Sequence, residues 1–267
     1  MKNLKIVTWN INSVRLRIEF IKKLKEDENP DIICLQECKA QEKDFPFETI
    51  KEYGYEHIAY YGMKGYNGVA ILSKTPLKDI RTMDWVGREN ARHVIATTID
   101  DIEIHNIYIP AGRDEPDYDN NPSFAHKLDF LDEISDWFKK HQELADKKVL
   151  VCGDFNIAPL ENDVWSHKQL LKVISHTPIE VEKLTNFYNS INFYDAVRCF
   201  YPESDKLYSW WSYRARDWVK SNRGRRLDHL WVTQSLKPAI KAARILTKVR
   251  GWERPSDHAP VVVELEI

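Results

Sequence analysis

The sequence predicts an α/β fold. Three observations lead there. Short apolar runs of strand length recur along the chain, stretches of helical spacing separate them, and no repeat, low-complexity tract or Gly/Ser-rich linker interrupts the 267 residues. That length is ample for a buried core, and residues 1–267 are read as a single domain.

The elements follow in chain order. Leu4–Trp9 is the first strand-like run. Val14, Ile18, Ile21 and Leu24 then fall at helical spacing, and Asn29-Pro30 ends that helix. Ile32–Leu35, Gly68–Leu72, Val94–Ile99, Ile102–Ile109 and Val149–Cys152 read as further strands. Phe124, Leu128, Leu131, Ile134 and Phe138 outline an amphipathic helix, with Ser123 as its N-cap after Pro122. A third helix runs through Pro178–Tyr188, and Leu227–Val232 and Val261–Leu265 supply the last strands. Pro110–Pro122 and Arg214–Gly224 read as irregular surface loops, where functional groups often sit.

Composition narrows the class of function. Hydrophobic residues make up 43% and charged residues 30%, ordinary soluble-protein chemistry, and no long uncharged apolar run suggests a membrane span. The start, Met1-Lys2-Asn3-Leu4-Lys5, lacks the longer apolar region and cleavage site of a signal peptide. Cys34, Cys38, Cys152 and Cys199 form no C-x-x-C pair, so a reducing cytoplasm is expected. No extended apolar stripe demands a second subunit, and a monomer is expected. The net charge of −2 argues against indiscriminate polyanion binding, but not against a local basic patch. Such a patch spans Arg214, Arg216, Lys220, Arg223, Arg225 and Arg226, opposed by Asp217 alone. Charge runs are usually solvated loops. Here Trp210, Trp211, Tyr213 and Trp218 flank or interleave the run, and basic groups with aromatics suit a nucleic-acid surface.

The informative pattern is what stands at the ends of the apolar runs. One ends in Asn10-Ile11-Asn12, the next in Gln36-Glu37, another in Tyr108-Ile109-Pro110, and a fourth in Gly153-Asp154-Phe155-Asn156. Side chains alternate faces along a strand, so Asn10 can point with Asn12, and Asp154 with Asn156. Any one such end is ordinary turn chemistry; together they can converge on one cleft. Asp228 lies inside an otherwise apolar strand, and Ser256-Asp257-His258 places an acid beside an imidazole. Asp257 and His258 can share a site only from a turn, which Pro255 and Pro260 favour. His229 adjoins Asp228 but should face away from it.

This set suits hydrolysis of a phosphodiester. Mg²⁺ takes one or two carboxylates plus water and phosphate, and Glu37 is the first choice, with Asn10, Asn12 and Asp257 as direct or water-bridged helpers. The neutral Asn10 and Asn12 can equally serve to orient other groups. His258, fixed by Asp228, suits contact with the scissile phosphate or proton transfer. Asp154, held by Asn156, would position or deprotonate the attacking water, and Tyr108 would donate to a phosphate oxygen. No Cys/His cluster has zinc spacing.

The strings TWNINSVR, LQE, IYIPAG, GDFN, GRRLDHLWV and SDHAP, in this order from Thr8 to Pro260, resemble the exonuclease III family of apurinic/apyrimidinic endonucleases. The resemblance implies a DNase I-like four-layer αββα sandwich with two packed mixed β-sheets. It implies Mg²⁺-dependent cleavage (Mn²⁺ as a substitute) of double-stranded DNA 5′ to an abasic site. Processing of 3′ ends, as a 3′→5′ exonuclease, phosphatase or phosphodiesterase, accompanies it in relatives. Glu37, Asn10, Asn12 and Asp257 would lie at the metal end, and Tyr108, Asp154, Asn156, Asp228 and His258 would form the catalytic core. Trp210 and Leu227 match an apolar pocket for the flipped-out abasic sugar. Arg225 stands where some relatives carry an aromatic in that pocket. Arg223 and Arg113 are candidate DNA contacts. Rival readings are a phosphatase of small phosphoesters and a DNA-binding scaffold without catalysis. The GRRLDHLWV string and the aromatic-basic segment favour DNA over the first. The competent side chains at every candidate position disfavour the second.

Overall fold

The computed structural model describes residues 2–215 and 217–267, so Arg216 of the basic run lies outside the described residues. The chain opens with β1 (Asn3–Asn10), α1 (Ile18–Glu28), β2 (Ile32–Gln36), α2 (Phe47–Glu52), β3 (His57–Tyr61) and β4 (Val69–Ser73). Next come β5 (Leu77–Thr82), β6 (His93–Thr98), β7 (Glu103–Tyr108), α3 (Pro122–Lys140) and β8 (Val149–Asp154). The last part holds α4 (His167–Leu170), α5 (Pro178–Asn189), β9 (Tyr194–Asp195), β10 (Trp210–Trp211) and α6 (Trp218–Ser221). It closes with β11 (Gly224–Arg225), β12 (Asp228–Val232), β13 (Ile240–Ile245) and β14 (Val261–Glu266).

Two six-stranded mixed sheets result, in the orders β13-β14-β1-β2-β4-β3 and β5-β6-β7-β8-β12-β9, with β10-β11 as a small ribbon. Residue parity along the strands sorts the core into layers. Ile6, Cys34 and Val263 from the first sheet meet Ala96, Cys152 and Leu230 from the second in the inner cluster. The alternate residues Val7, Leu35 and Val262 pack outward against Ile21 and Leu24 of α1. Val149, Val151 and Trp231 pack outward against Phe130, Ile134 and Phe138 of α3 and Leu184 and Phe187 of α5. The order is helix, sheet, sheet, helix. No helix among the described residues is long and apolar enough to cross a membrane.

Three of the missed strands share a physical cause. β3, β5 and β13 lie at sheet edges, and the middle of β5, Lys78-Asp79-Ile80, faces water. Edge strands are not buried on both faces, so they lack the apolar run that marks a central strand. Two helix starts also differ from expectation. Val14 sits in the turn before α1, which starts at Ile18. Asn121, not Ser123, caps α3, its side chain accepting from the Ser123 and Phe124 amides while Pro122 takes the first helical position.

The pairing register brings the polar strand ends together. β1 and β2 run parallel, with Asn10 opposite Gln36. β7 and β8 also run parallel, with Tyr108 opposite Asp154, and antiparallel β12 sets Asp228 opposite Asp154. Beneath this edge a buried amide network ties the sheets together. Gln36 Nε2 donates to Thr8 Oγ1 (2.9 Å) and Asn106 Oδ1 (2.6 Å), while Asn106 Nδ2 donates to the Leu35 carbonyl (2.9 Å). Asn106 bridges the two sheets through these bonds, which fixes their relative height where the site is built.

Candidate active site

At the shared strand edge, Asn10 is the hub. Its Nδ2 donates to Glu37 Oε1 and to Asp154 Oδ2, both at 2.9 Å, and its Oδ1 accepts from the Asn12 amide at 3.1 Å. Tyr108 donates its hydroxyl to the same Glu37 Oε1 (2.8 Å). Lys39 pairs with Glu37 Oε2 (2.8 Å) and donates to Asn12 Oδ1 (2.6 Å), and Asn12 Nδ2 donates to Asp257 Oδ1 (3.0 Å). Asp257 Oδ2 accepts from Trp210 Nε1 at 2.9 Å. One continuous set of contacts thus joins the sequence-predicted metal end to the base of the cleft.

The second half centres on His258. Its Nδ1 lies 2.8 Å from Asp228 Oδ2 and its Nε2 lies 3.6 Å from Asp154 Oδ2. Asp154 is itself held by Asn156, whose backbone amide donates to Oδ1 (2.9 Å) and whose Nδ2 lies 3.3 Å from Oδ2. Asp154, Asp228 and His258 are all buried. The Ser256-Asp257-His258 segment forms the expected non-strand bend before β14, with a single bridge from His258 to Trp210. His229 points the other way, stacking on Phe155 and bonding the Ile157 carbonyl (2.8 Å). Glu37, Asn12 and Asn156 take φ values of 50°, 48° and 54°. Such left-handed backbone is uncommon outside glycine, and for Glu37 it is a local cost that the surrounding bonds offset.

The electrostatics follow from this packing. Burial favours a neutral Glu37, yet Lys39, the Asn10 hydrogen bond and His258 outweigh it and hold the carboxyl below its usual range. Asp257 is treated similarly: burial opposes its charge, but His258, Trp210 and Asn12 keep it low. Burial raises Asp154, and although His258 opposes this, Asp228 adds to the rise. Burial works against a charged His258, but Asp228 and Asp154 overcome it and raise the imidazole well above its ordinary value. Burial and then Glu37 raise Tyr108, which stays a phenol donor. The site therefore holds ionised acids at one end and an imidazolium between two acids at the other.

These residues fit a hard divalent cation. Glu37 and Asp257 offer ionised carboxylates, Asn12 Oδ1 shares Lys39 with Glu37, and a bound cation would share or displace the Lys39 contact on Glu37. Asp154, Asp228 and His258 also place ligand atoms within 4.8 Å of one another, and Asp228 Oδ1 is buried without a partner among the described residues. An imidazolium cannot ligate, so while His258 is protonated the Glu37 end is the better seat.

Beside the centre opens a cleft of about 560 Å³ lined by Asn156, Trp210, Leu227, Arg113, Arg223 and Arg225. It gathers the residues expected to bind substrate. Arg225 Nη1 donates to the Ile174 carbonyl (2.9 Å) and Ser175 Oγ (2.7 Å), placing the guanidinium 5.3 Å from the Trp210 ring centroid. Arg223 is exposed and stacks over Trp165. Arg226 leaves the basic surface: it is buried, bidentate to Asp163 (2.7 and 2.9 Å) and bonded to Asp195 (2.6 Å). Trp211 is likewise core, packed on Tyr208, whereas Tyr213 is exposed.

Several positioning contacts escaped the sequence reading. Ser209 Oγ donates to Asp228 Oδ2 (2.6 Å) while accepting from the Leu227 and Asp228 amides, both at 3.0 Å. Ser256 Oγ donates to the Asn10 carbonyl (2.7 Å), and Trp9 Nε1 donates to the His258 carbonyl (3.1 Å). Lys39, two residues beyond Glu37, had only its proximity to an expected ligand as a signal. Ser209 had none, because its role depends on tertiary pairing.

Comparison with known proteins identifies the family and the fold. The model of the Endonuclease/Exonuclease/phosphatase family matches residues 7–258. Exodeoxyribonuclease III of Haemophilus influenzae is 30% identical over 274 residues, covering 98% of this chain and 100% of that protein. The solved structure of an AP endonuclease from Archaeoglobus fulgidus superposes with a TM-score of 0.91 at 28% identity, covering 99% of this chain and 100% of its own. A 3′ phosphatase, NExo from Neisseria, solved bound to product DNA hairpin, superposes with a TM-score of 0.90 at 29% identity. It covers 99% of this chain and 100% of its own.

Proposed function

The chain belongs to the endonuclease/exonuclease/phosphatase family, as a nuclease of the exonuclease III type, and we propose that it hydrolyses the DNA backbone 5′ to abasic sites with Mg²⁺ as its metal. The observation that carries this reading is the buried Asp154–His258–Asp228 chain, joined through Asn156 to a cleft lined with aromatic and arginine side chains. It would work as a monomeric single domain in the cytoplasm.

Each step is assigned to a group on the site. Asp154, raised by burial, accepts a proton from the attacking water, and the Asn156 and Asn10 amides keep its two oxygens aimed. The water oxygen forms its bond to phosphorus as the bond from phosphorus to O3′ breaks; O3′ takes a proton from solvent, leaving a 3′-hydroxyl and a 5′-phosphate. His258, as an imidazolium, and Tyr108, as a phenol, donate to the phosphoryl oxygens where charge builds. Glu37 and Asp257, with Asn10 and Asn12 beside them, would hold the metal. When bound, Mg²⁺ supplies positive charge to the phosphate and the leaving oxygen. Trp210 and Leu227 receive the sugar, which lacks a base and loses little stacking on leaving the helix.

A second activity has its own support. Arg225 is held over Trp210 inside the cleft, narrowing the space for a flipped sugar and adding charge there. Removal of 3′-phosphate, the activity named for the Neisseria neighbour, needs the same hydrolytic centre and no flipped nucleotide. The test compares a duplex with one abasic analogue, a duplex ending in 3′-phosphate, and p-nitrophenyl phosphate, each with Mg²⁺, Mn²⁺ or EDTA. The expected result is metal-dependent cleavage of both DNA substrates, with none in EDTA. Turnover of the small phosphoester alone would contradict the reading.

A further inference from the structure

Lys127 projects from α3 into the interior, where its side chain and that of Glu180 from α5 are both fully buried. All three ammonium hydrogens are used. Nζ donates to Glu180 Oε1, to the Asn156 carbonyl (2.9 Å) and to the Ala111 carbonyl (3.3 Å). A buried ion pair is a poor source of stability, because desolvation rivals the attraction and an apolar pair would fill the same volume. An exposed bridge from Lys183 to Asp132 already links the same two helices. Joining α3 to α5 therefore does not account for a charge kept beneath the site. The two carbonyls do.

Those carbonyls belong to the two loops that leave the catalytic edge. Ala111 follows the end of β7, three residues after Tyr108, and Asn156 follows the end of β8. Asn156 is left-handed without being glycine, and together with Asn10 Nδ2 its peptide nitrogen and side-chain amide hold Asp154. Its Nδ2 also donates to the Ile109 carbonyl (2.9 Å), so the two loops are stitched above Lys127 as well as through it. The Asn156 carbonyl lies in the peptide after this residue and its amide in the peptide before it. A free carbonyl would therefore release the left-handed turn at Asn156 that aims the amide. Glu180 cannot drift either. Its Oε2 accepts from the Ser175 amide (2.9 Å), the Thr177 amide (3.1 Å) and Thr177 Oγ1 (2.7 Å) as part of the capping box of α5. The pair is thus a fixed post under a conformationally demanding residue.

We propose that Lys127, held in place by Glu180, is a positioning residue that fixes the Asn156 peptide and through it the carboxylate of Asp154. This rests on the role given to Asp154 above. Lys127 touches no substrate and acts through the backbone alone.

Lys127→Met alone leaves Glu180 charged and unpaired in the core and can unfold the chain, so the informative variant is Lys127→Met with Glu180→Gln, which removes both charges. Lys183→Met is the control for helix packing. Steady-state cleavage of the abasic duplex is expected to lose about tenfold or more in kcat in the double variant, since small misplacements of a reacting group are costly. KM should stay within about threefold, because the DNA-facing side chains are untouched. The control should match wild type. Hydrogen exchange at the Asn156 amide reads the positioning without catalysis, and should quicken by about tenfold or more in the double variant. A folded double variant with kcat within about twofold of wild type and unchanged Asn156 exchange would overturn the proposal. Faster exchange in a protein whose wild type cleaves no abasic duplex would uphold the positioning role while refuting the proposed substrate.

Discussion

Replacing Arg226 with methionine separates a buried arginine from the exposed ones beside it. The guanidinium is bidentate to Asp163 and reaches Asp195, so its loss strips cations from two acids at once. Asp163 keeps Arg198 at 2.6 Å. Asp195 keeps the amides of Val197 and Arg198, both at 3.0 Å. Breaking a buried pair by removing one partner costs about 3–5 kcal/mol, and these remaining contacts place Arg226→Met toward the lower end. At roughly 2 °C per kcal/mol for a chain of this length, the thermal midpoint should fall by about 6 °C or more. Scanning calorimetry reads that loss, and fluorescence anisotropy with a labelled duplex across a salt series reads DNA binding. Arg226→Met should leave the salt slope intact. Arg223→Gln, at an exposed position, should do the reverse: little change in midpoint, and a slope shallower by about one unit. An Arg226→Met protein with an unchanged midpoint and a shallower salt slope would refute the buried assignment.

Two further outcomes test the scaffold. Burial, followed by Arg226, pushes His229 down to about 4. Its folded value lies below the unfolded value of about 6.5, so the unfolded chain takes up the proton first and stability falls as pH drops from about 6.5 toward 4. For His229 alone this amounts to about 1 kcal/mol between pH 7 and 5.5. Urea titrations at the two pH values should therefore show a smaller pH effect in His229→Asn than in wild type, and equal effects would contradict the burial. Gly153 has φ +142°, and a Cβ there would stand 1.8 Å from the Ile107 carbonyl oxygen across the β7–β8 pair. Gly153→Ala should lose soluble yield or lower the midpoint by more than about 10 °C, whereas a wild-type midpoint would disprove that register.

The parts of this molecule that the chain announces are those buried on both sides or placed at strand ends. β1, β2, β4, β8 and β14 read as apolar runs because both faces are covered, whereas β5 and β13 do not, because water meets one side. Asn10, Glu37, Tyr108, Asp154 and Asp228 could be nominated because each interrupts or follows such a run. The layering was legible only through the ordered motifs and their resemblance to a family. What stayed hidden depends on contacts between distant segments. Ser209 reaches Asp228 from a different loop, and Lys127 reaches Asn156 from a helix. Arg225 and Arg226 are adjacent and chemically alike, yet one faces the cleft and the other the core. Composition cannot separate them.

The central claim is that Asp154 and His258 carry out phosphodiester hydrolysis on DNA. The most direct measurement is single-turnover cleavage of an abasic-site duplex in Mg²⁺ by wild type, Asp154→Asn and His258→Ala, each confirmed as folded by circular dichroism. Both variants should lose at least about a hundredfold in rate, given what a general base and a charged donor contribute. Folded variants that both cleave at near-wild-type rates would contradict the assignment.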